Sequence, residues 1–143
     1  MARLTRTLTI VLALVAVAAA GLQAQRKPEP KVDLISIDDT LALIKKDAVL
    51  LLDVRTLGLY MVEHIKGARN LPVEDSDWRA EEFAGTDKQI VTYCSCPEEH
   101  SSIEAAKRMM QNGVKDVKAL RGGWNEWKAR GLPTAKGDTP GRD

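Results

Sequence analysis

Cys94 and Cys96 are the only cysteines in the 143-residue chain, and one serine separates them. They sit in Tyr93-Cys-Ser-Cys-Pro-Glu-Glu-His-Ser-Ser102, where an apolar run ends and a helical pattern begins. Four chemistries are open to such a pair. A cysteine thiolate is a nucleophile and can carry a transferred group. Two thiols can cycle through a disulfide, with Cys96 resolving a persulfide or sulfenate on Cys94. Cys94-x-Cys96-x3-His100 could clasp zinc or copper(I), although three ligands in one short loop are a thin basis for a metal site. Both cysteines could also be inert. The expectation drawn from these residues is a nucleophile, with no metal and no cofactor.

The elements around the pair alternate between strand and helix patterns. Asp33–Ile37 reads as a short strand, and Asp38 or Asp39 can cap a helix with Leu41, Leu43 and Ile44 on its apolar face. Ala48–Leu52 is a continuous apolar run, as in a strand buried on both faces, and it ends at Asp53-Val-Arg55. Thr56 can cap a helix through Tyr60 and Val62. Ala68–Val73 is an extended piece broken by Pro72, and Asp77 can cap a helix through Trp78 and Phe83. Gln89–Tyr93 is a strand that runs into the cysteines. Ile103–Met110 is helical and stops at Asn112-Gly113, a favourable C-cap. Val117–Leu120 is a last strand. Trp124 and Trp127 mark a closing helix, both assigned to the core, before Gly131 and Pro133. This alternation predicts an α/β layer structure with a mostly parallel sheet.

Cys94 therefore stands at the C-terminal end of a strand, in the loop that enters a helix, which is the edge where open α/β sheets bind ligands. Ser101 and Glu104 have the spacing of a capping box. The loop Ser95–His100 is then expected to wrap Cys94, with N–H groups and the positive helix end directed at its sulfur and favouring the thiolate. Asp53 and Arg55 are expected to pair and order this edge. His64 reads as structural, in a turn that Gly67 permits.

The ends of the chain read differently. Residues 1–24 have Arg3 and Arg6, an apolar stretch Leu8–Ala20 and small Ala24, the three-part pattern of a secretory signal peptide. The apolar stretch is short of the roughly 20 residues of a membrane span, so cleavage is the expectation, with an uncleaved N-terminal anchor as the alternative. Residues 25–31 read as a proline-rich linker, 32–133 as the folded domain, and 134–143 as a frayed tail. The full chain has a net charge of +1, from 21 basic and 20 acidic residues. Cleavage after Ala24 removes two basic groups and no acid, leaving −1. That balance gives no sign of a nucleic-acid or anionic-membrane partner. The expected localisation is periplasmic or secreted, without stable membrane insertion after cleavage. In an oxidising compartment a cysteine pair is a disulfide candidate, and so small a ring would be easily reduced.

Several motifs then line up. Leu51-Leu-Asp-Val-Arg55 with Tyr60, His64-Ile-Lys-Gly-Ala-Arg-Asn-Leu-Pro72, Ile90-Val-Thr-Tyr-Cys94, and Leu120-Arg-Gly-Gly-Trp124 followed by Trp127 and Gly131-Leu-Pro133 stand in order along one domain. Together they resemble the rhodanese-like family over nearly the whole folded unit. The resemblance implies a single α/β domain with a mostly parallel five-stranded sheet and helices on both faces. It implies sulfurtransferase activity, with Cys94 carrying sulfane sulfur as a persulfide. A small sulfur donor and a thiol acceptor, protein thiols included, would be the partners.

The active-site loop Ser95, Cys96, Pro97, Glu98, Glu99, His100 and Ser101 departs from the family's C-x-x-G-x-R-S pattern. Pro97 replaces the glycine and has no N–H to give. Glu98 and Glu99 add negative charge, and His100 stands where arginine would close the loop. All three changes argue against thiosulfate, a dianion, as the favoured donor. Two other readings stay open: an exported thiol redox protein using Cys94 and Cys96, and a catalytically inactive rhodanese-like binding module.

Overall fold

The computed structural model describes residues 28–137. Residues 1–24, expected to be a signal peptide, and most of the expected tail lie outside them. Among the described residues, seven strands and four α-helices follow in chain order. They are β1 (Leu34–Ile35), α1 (Ile37–Lys45), β2 (Val49–Asp53), α2 (Leu57–Val62), β3 (His64–Ile65), β4 (Arg69–Asn70), β5 (Gln89–Tyr93), α3 (His100–Gln111), β6 (Val117–Leu120), α4 (Gly123–Ala129) and β7 (Thr134–Ala135). Short 3-10 turns at Val73–Asp75, Ala80–Phe83 and Pro97–Glu99 complete the path.

Five strands form one sheet in the order β1-β6-β5-β2-β4, with every neighbouring pair parallel. This is the α/β architecture expected from the alternating patterns. The apolar strands feed two clusters because successive side chains point to opposite faces. Leu51, Val91, Tyr93 and Leu120 pack with Ile37 of α1 and Trp127 of α4. Leu52, Ile90 and Val117 pack with Ala106 and Met109 of α3 and with Phe83. Burying a side chain such as Leu52 or Ile90 contributes about 1.5–3 kcal/mol each. Near-continuous burial along β2 and β5 explains why these strands read as apolar runs rather than alternating ones.

Local chemistry shifts several expected boundaries. The first strand shrinks from Asp33–Ile37 to two residues because Ser36 caps α1, accepting the Asp39 N–H on its hydroxyl at 3.1 Å. Asp38 and Asp39 lie inside the first turn, where their charge favours the helix dipole. Asp77 caps nothing. Its carboxylate takes Arg108 and Asn112 of α3, both at 3.3 Å, and the segment around it forms 3-10 turns. Thr134 and Ala135, assigned to the tail, instead form β7, antiparallel to β3. The Thr134 hydroxyl donates to Glu63 at 2.9 Å.

Candidate active site

β5 occupies the middle of the sheet, flanked by β2 and β6, and delivers Cys94 at its C-terminal end. Three hydrogen bonds from the β6–α4 turn clamp the loop that follows. The Trp124 N–H donates to the Cys94 carbonyl at 2.9 Å. Asn125 Nδ2 donates to the Ser95 carbonyl at 3.0 Å, and the Gly122 N–H to a Glu99 carboxylate oxygen at 2.6 Å. Gly123 makes this approach feasible. Its φ is +50°, and a Cβ there would collide with the Cys94 carbonyl oxygen. The paired glycines of Leu120-Arg-Gly-Gly-Trp124 thus let one backbone lie against that of Cys94. The role of Asn125 carried no signal in the sequence.

Cys94 and Cys96 are joined by a disulfide, with their Cα atoms 5.6 Å apart. Cys94 is only 3% exposed, whereas Cys96 is half-buried. The helix start differs from the expected capping box. Glu99 occupies the N-cap position of α3 without a side-chain cap, and Ser101 lies inside the first turn. Glu104 pairs instead with Arg108 at 2.8 Å. The Ser101 N–H donates to the sulfur of Cys96, at 3.2 Å. The expected direction of these donors, toward Cys94, is therefore corrected: the Ser101 N–H points to Cys96, two residues further along the loop. The Cys94 sulfur lies 3.8 Å from the Ser102 hydroxyl oxygen, and that hydroxyl donates to the Glu99 carbonyl at 2.9 Å. Glu98 and Glu99 both adopt left-handed backbone, with φ of 54° and 56°. Such conformations are uncommon for side chains of this size. The Gly122 and Ser102 bonds to Glu99 hold this part of the loop.

A cleft of about 200 Å3 opens beside the pair, lined by Val54, Arg55, Thr56, Leu59, Val73 and Glu74 with Cys94, Ser95, Cys96 and Ser101. Pro97, Glu98, Glu99 and His100 are not among its walls. His100 is exposed and faces Glu98 at 3.4 Å, outside the cleft that Cys94 lines. The carboxylate that does line the cleft is Glu74, which sequence reasoning missed. Among the described residues no group of three His, Cys, Asp or Glu side chains is placed to hold a metal ion. A larger cleft of about 390 Å3, walled by residues that include Leu57, Arg69 and Arg79, contains no cysteine.

A buried ion pair stiffens the edge behind the site. Parallel pairing sets Asp53 beside Tyr93. Arg55 closes on Asp53 through Nε at 2.9 Å and a terminal nitrogen at 2.6 Å, and also donates to the Glu63 carbonyl at 2.8 Å. Burial works against the guanidinium charge, but the Asp53 hydrogen bonds and charge outweigh it, so its pKa lies above the ordinary value. The Tyr93 hydroxyl donates to Asp53 at 2.8 Å and accepts the Ile65 N–H at 3.1 Å. Burial first, and then the Asp53 charge, push its pKa well up. Trp124 is half-buried rather than fully in the core. Its ring carries the Arg55 guanidinium at 4.4 Å, a cation–π contact. His64 is fully buried, stacks on Tyr60, and donates from Nδ1 to the Tyr60 carbonyl at 2.8 Å.

A strand-end cysteine in a clamped loop, on a five-stranded parallel α/β sheet, defines a class. The model of the rhodanese-like domain family matches residues 36–130, and the chain belongs to that family. A thiosulfate sulfurtransferase GlpE of Coxiella burnetii is 34% identical over 89 residues, which cover 61% of this chain and 78% of that one. An HTH-type transcriptional regulator of Mycobacterium tuberculosis, Rv0324, is 34% identical over 105 residues, 73% of this chain. The chain spans 46% of that regulator's length. Among solved structures, the BH2092 protein from Bacillus halodurans is 26% identical with a TM-score of 0.66, covering 78% of this chain and 82% of that one.

Proposed function

We propose that this protein is a sulfurtransferase that carries sulfane sulfur on Cys94. The observation that carries the reading is the placement of Cys94: at the end of the central strand, on the wall of a cleft, with its carbonyl fixed by the Gly123–Trp124 turn. Membership of a family with relatives named thiosulfate sulfurtransferase supports it. Reduction of the Cys94–Cys96 disulfide frees the nucleophile. The Cys94 thiolate attacks the sulfane sulfur of a donor, whose S–S bond breaks and whose remaining part leaves with the electron pair. A thiol acceptor then attacks the outer sulfur of the Cys94 persulfide, takes it, and restores the thiolate, in two half-reactions. Glu74 on the cleft wall and the lack of an arginine at the loop's close favour a neutral or thiol-bound donor over thiosulfate. Export to an oxidising compartment belongs to the same proposal, resting on the character of residues 1–24.

The disulfide itself favours a second reading, an exported thiol redox protein that cycles Cys94 and Cys96 without moving sulfur. Persulfide transfer to a small thiol, assayed under reducing conditions, separates the two. Cys94→Ser should abolish transfer, while Cys96→Ser should retain it. Retention of transfer by Cys94→Ser would remove the first reading.

A further inference from the structure

We infer that Cys96 discharges the Cys94 persulfide internally, so that the chain releases hydrogen sulfide and is left as the disulfide. The inference rests on the sulfurtransferase reading above and names what becomes of the sulfur. A persulfide on Cys94 has two reactive atoms, the outer sulfur and the Cys94 sulfur itself. An outside thiol that takes the outer sulfur performs transfer. A thiol that attacks the inner sulfur expels sulfide instead. Cys96 is placed for the second outcome, because its sulfur bonds to the Cys94 sulfur with the loop backbone as described. The step balances without an added oxidant. The Cys96 thiolate forms a bond to the Cys94 sulfur, the bond between Cys94 and the outer sulfur breaks, and hydrosulfide leaves with its electron pair. The sulfane sulfur is reduced, and the two cysteine thiols are oxidised to the disulfide.

Three features of the site suit this role. The Ser101 N–H, in the first turn of twelve-residue α3, donates to the Cys96 sulfur at 3.2 Å. It favours the thiolate on Cys96, the attacking atom. Both cysteines line the cleft of about 200 Å3, which has room for a single outer sulfur and for its departure. Cys94 is 3% exposed while Cys96 is half-buried, so a reductant reaches Cys96 first. A dithiol attacking Cys96 displaces the Cys94 thiolate. Its second thiol then closes the reductant's own disulfide and expels the Cys96 thiolate onto the waiting Ser101 N–H. The cycle thus consumes one sulfane sulfur and one dithiol and produces sulfide and a disulfide.

The test is a single turnover without oxygen. Fully reduced protein, freed of reductant, receives one equivalent of glutathione persulfide, and sulfide and intact mass are followed together. The double variant Cys94→Ser/Cys96→Ser serves as the blank for donor breakdown. Wild type should release one sulfide per chain, lose two hydrogens and retain no added sulfur, and once Cys94 is loaded the release should proceed at a rate independent of protein concentration. Cys96→Ser should gain one sulfur and release sulfide roughly tenfold more slowly or worse. Cys96→Ala repeats the measurement in case serine perturbs the loop. A wild-type protein that keeps its added sulfur, or a Cys96 variant that releases sulfide as fast as wild type, would overturn the inference and leave the transferase reading standing. If neither wild type nor the Cys96 variants acquire or release sulfur beyond the blank, the transferase reading itself fails, and the inference with it.

Discussion

The N–H of Ser101 donates to the sulfur of Cys96, at 3.2 Å, so the start of α3 serves the second cysteine of the pair. The first, Cys94, is 3% exposed and has the Ser102 hydroxyl oxygen 3.8 Å from its sulfur. The two thiols of the reduced protein should therefore differ in reactivity. Brief labelling with limiting iodoacetamide near neutral pH should modify Cys96 several-fold faster than Cys94. Peptide mapping of the labelled chain reads the ratio, and preferential labelling of Cys94 would show that the loop rearranges on reduction.

Gly123 is the point of closest approach between the β6–α4 turn and the Cys94 backbone. Alanine there meets both a left-handed φ and the Cys94 carbonyl oxygen. Gly123→Ala should cost roughly 1–3 kcal/mol of stability through that strain. It should also lower sulfur transfer, because the bond from the Trp124 N–H to Cys94 is displaced. Thermal unfolding and a transfer assay on the same preparation check both effects.

Glu74 lines the cleft, whereas Glu98 faces His100 outside it and Glu99 is held by the Gly122 N–H. Glu74→Gln should raise thiosulfate kcat/KM by about threefold to tenfold at low salt, since a carboxylate near the sulfur repels a dianion. Added salt should shrink the gain. Glu98→Gln should change it little. Steady-state kinetics with thiosulfate at two ionic strengths distinguish the two carboxylates.

Tyr93 joins the strand that carries Cys94 to the Asp53–Arg55 pair. Tyr93→Phe leaves a buried Asp53 oxygen and the Ile65 N–H without this partner, at a cost of about 1–3 kcal/mol. The phenol's pKa is raised above its ordinary 10.0 by burial and by Asp53. Folding therefore favours the protonated phenol. Its contribution is complete below pH 10.0 and is lost as the pH rises from there toward the folded pKa. Wild type should lose stability above that pH, and Tyr93→Phe should lose less. Denaturant unfolding across the alkaline range measures the difference.

The sheet was legible because its central strands are buried: Ala48–Leu52 is an unbroken apolar run, and Gln89–Tyr93 carries Ile90, Val91 and Tyr93 into the core. The position of Cys94 followed from the same runs. The loop geometry was not legible. The serine and glutamate of a capping box are present at Ser101 and Glu104, but two left-handed residues, Glu98 and Glu99, start the helix earlier and move Ser101 into its first turn. Glu74 and Asn125 reach the site from other parts of the chain, and nothing local marks them. The pairing of Thr134–Ala135 with His64–Ile65 depends on contacts about seventy residues apart, which a polar tail does not advertise.

On the proposed reading, Cys94 holds the transferred sulfur. Reduced Cys96→Ser protein incubated with glutathione persulfide, then digested without reductant, tests it most directly by mass spectrometry. The expected result is one added sulfur on the peptide that contains Cys94, removed by cyanide or by a small thiol. A Cys94 peptide of unchanged mass, under conditions where the thiol is shown to be free, would contradict it.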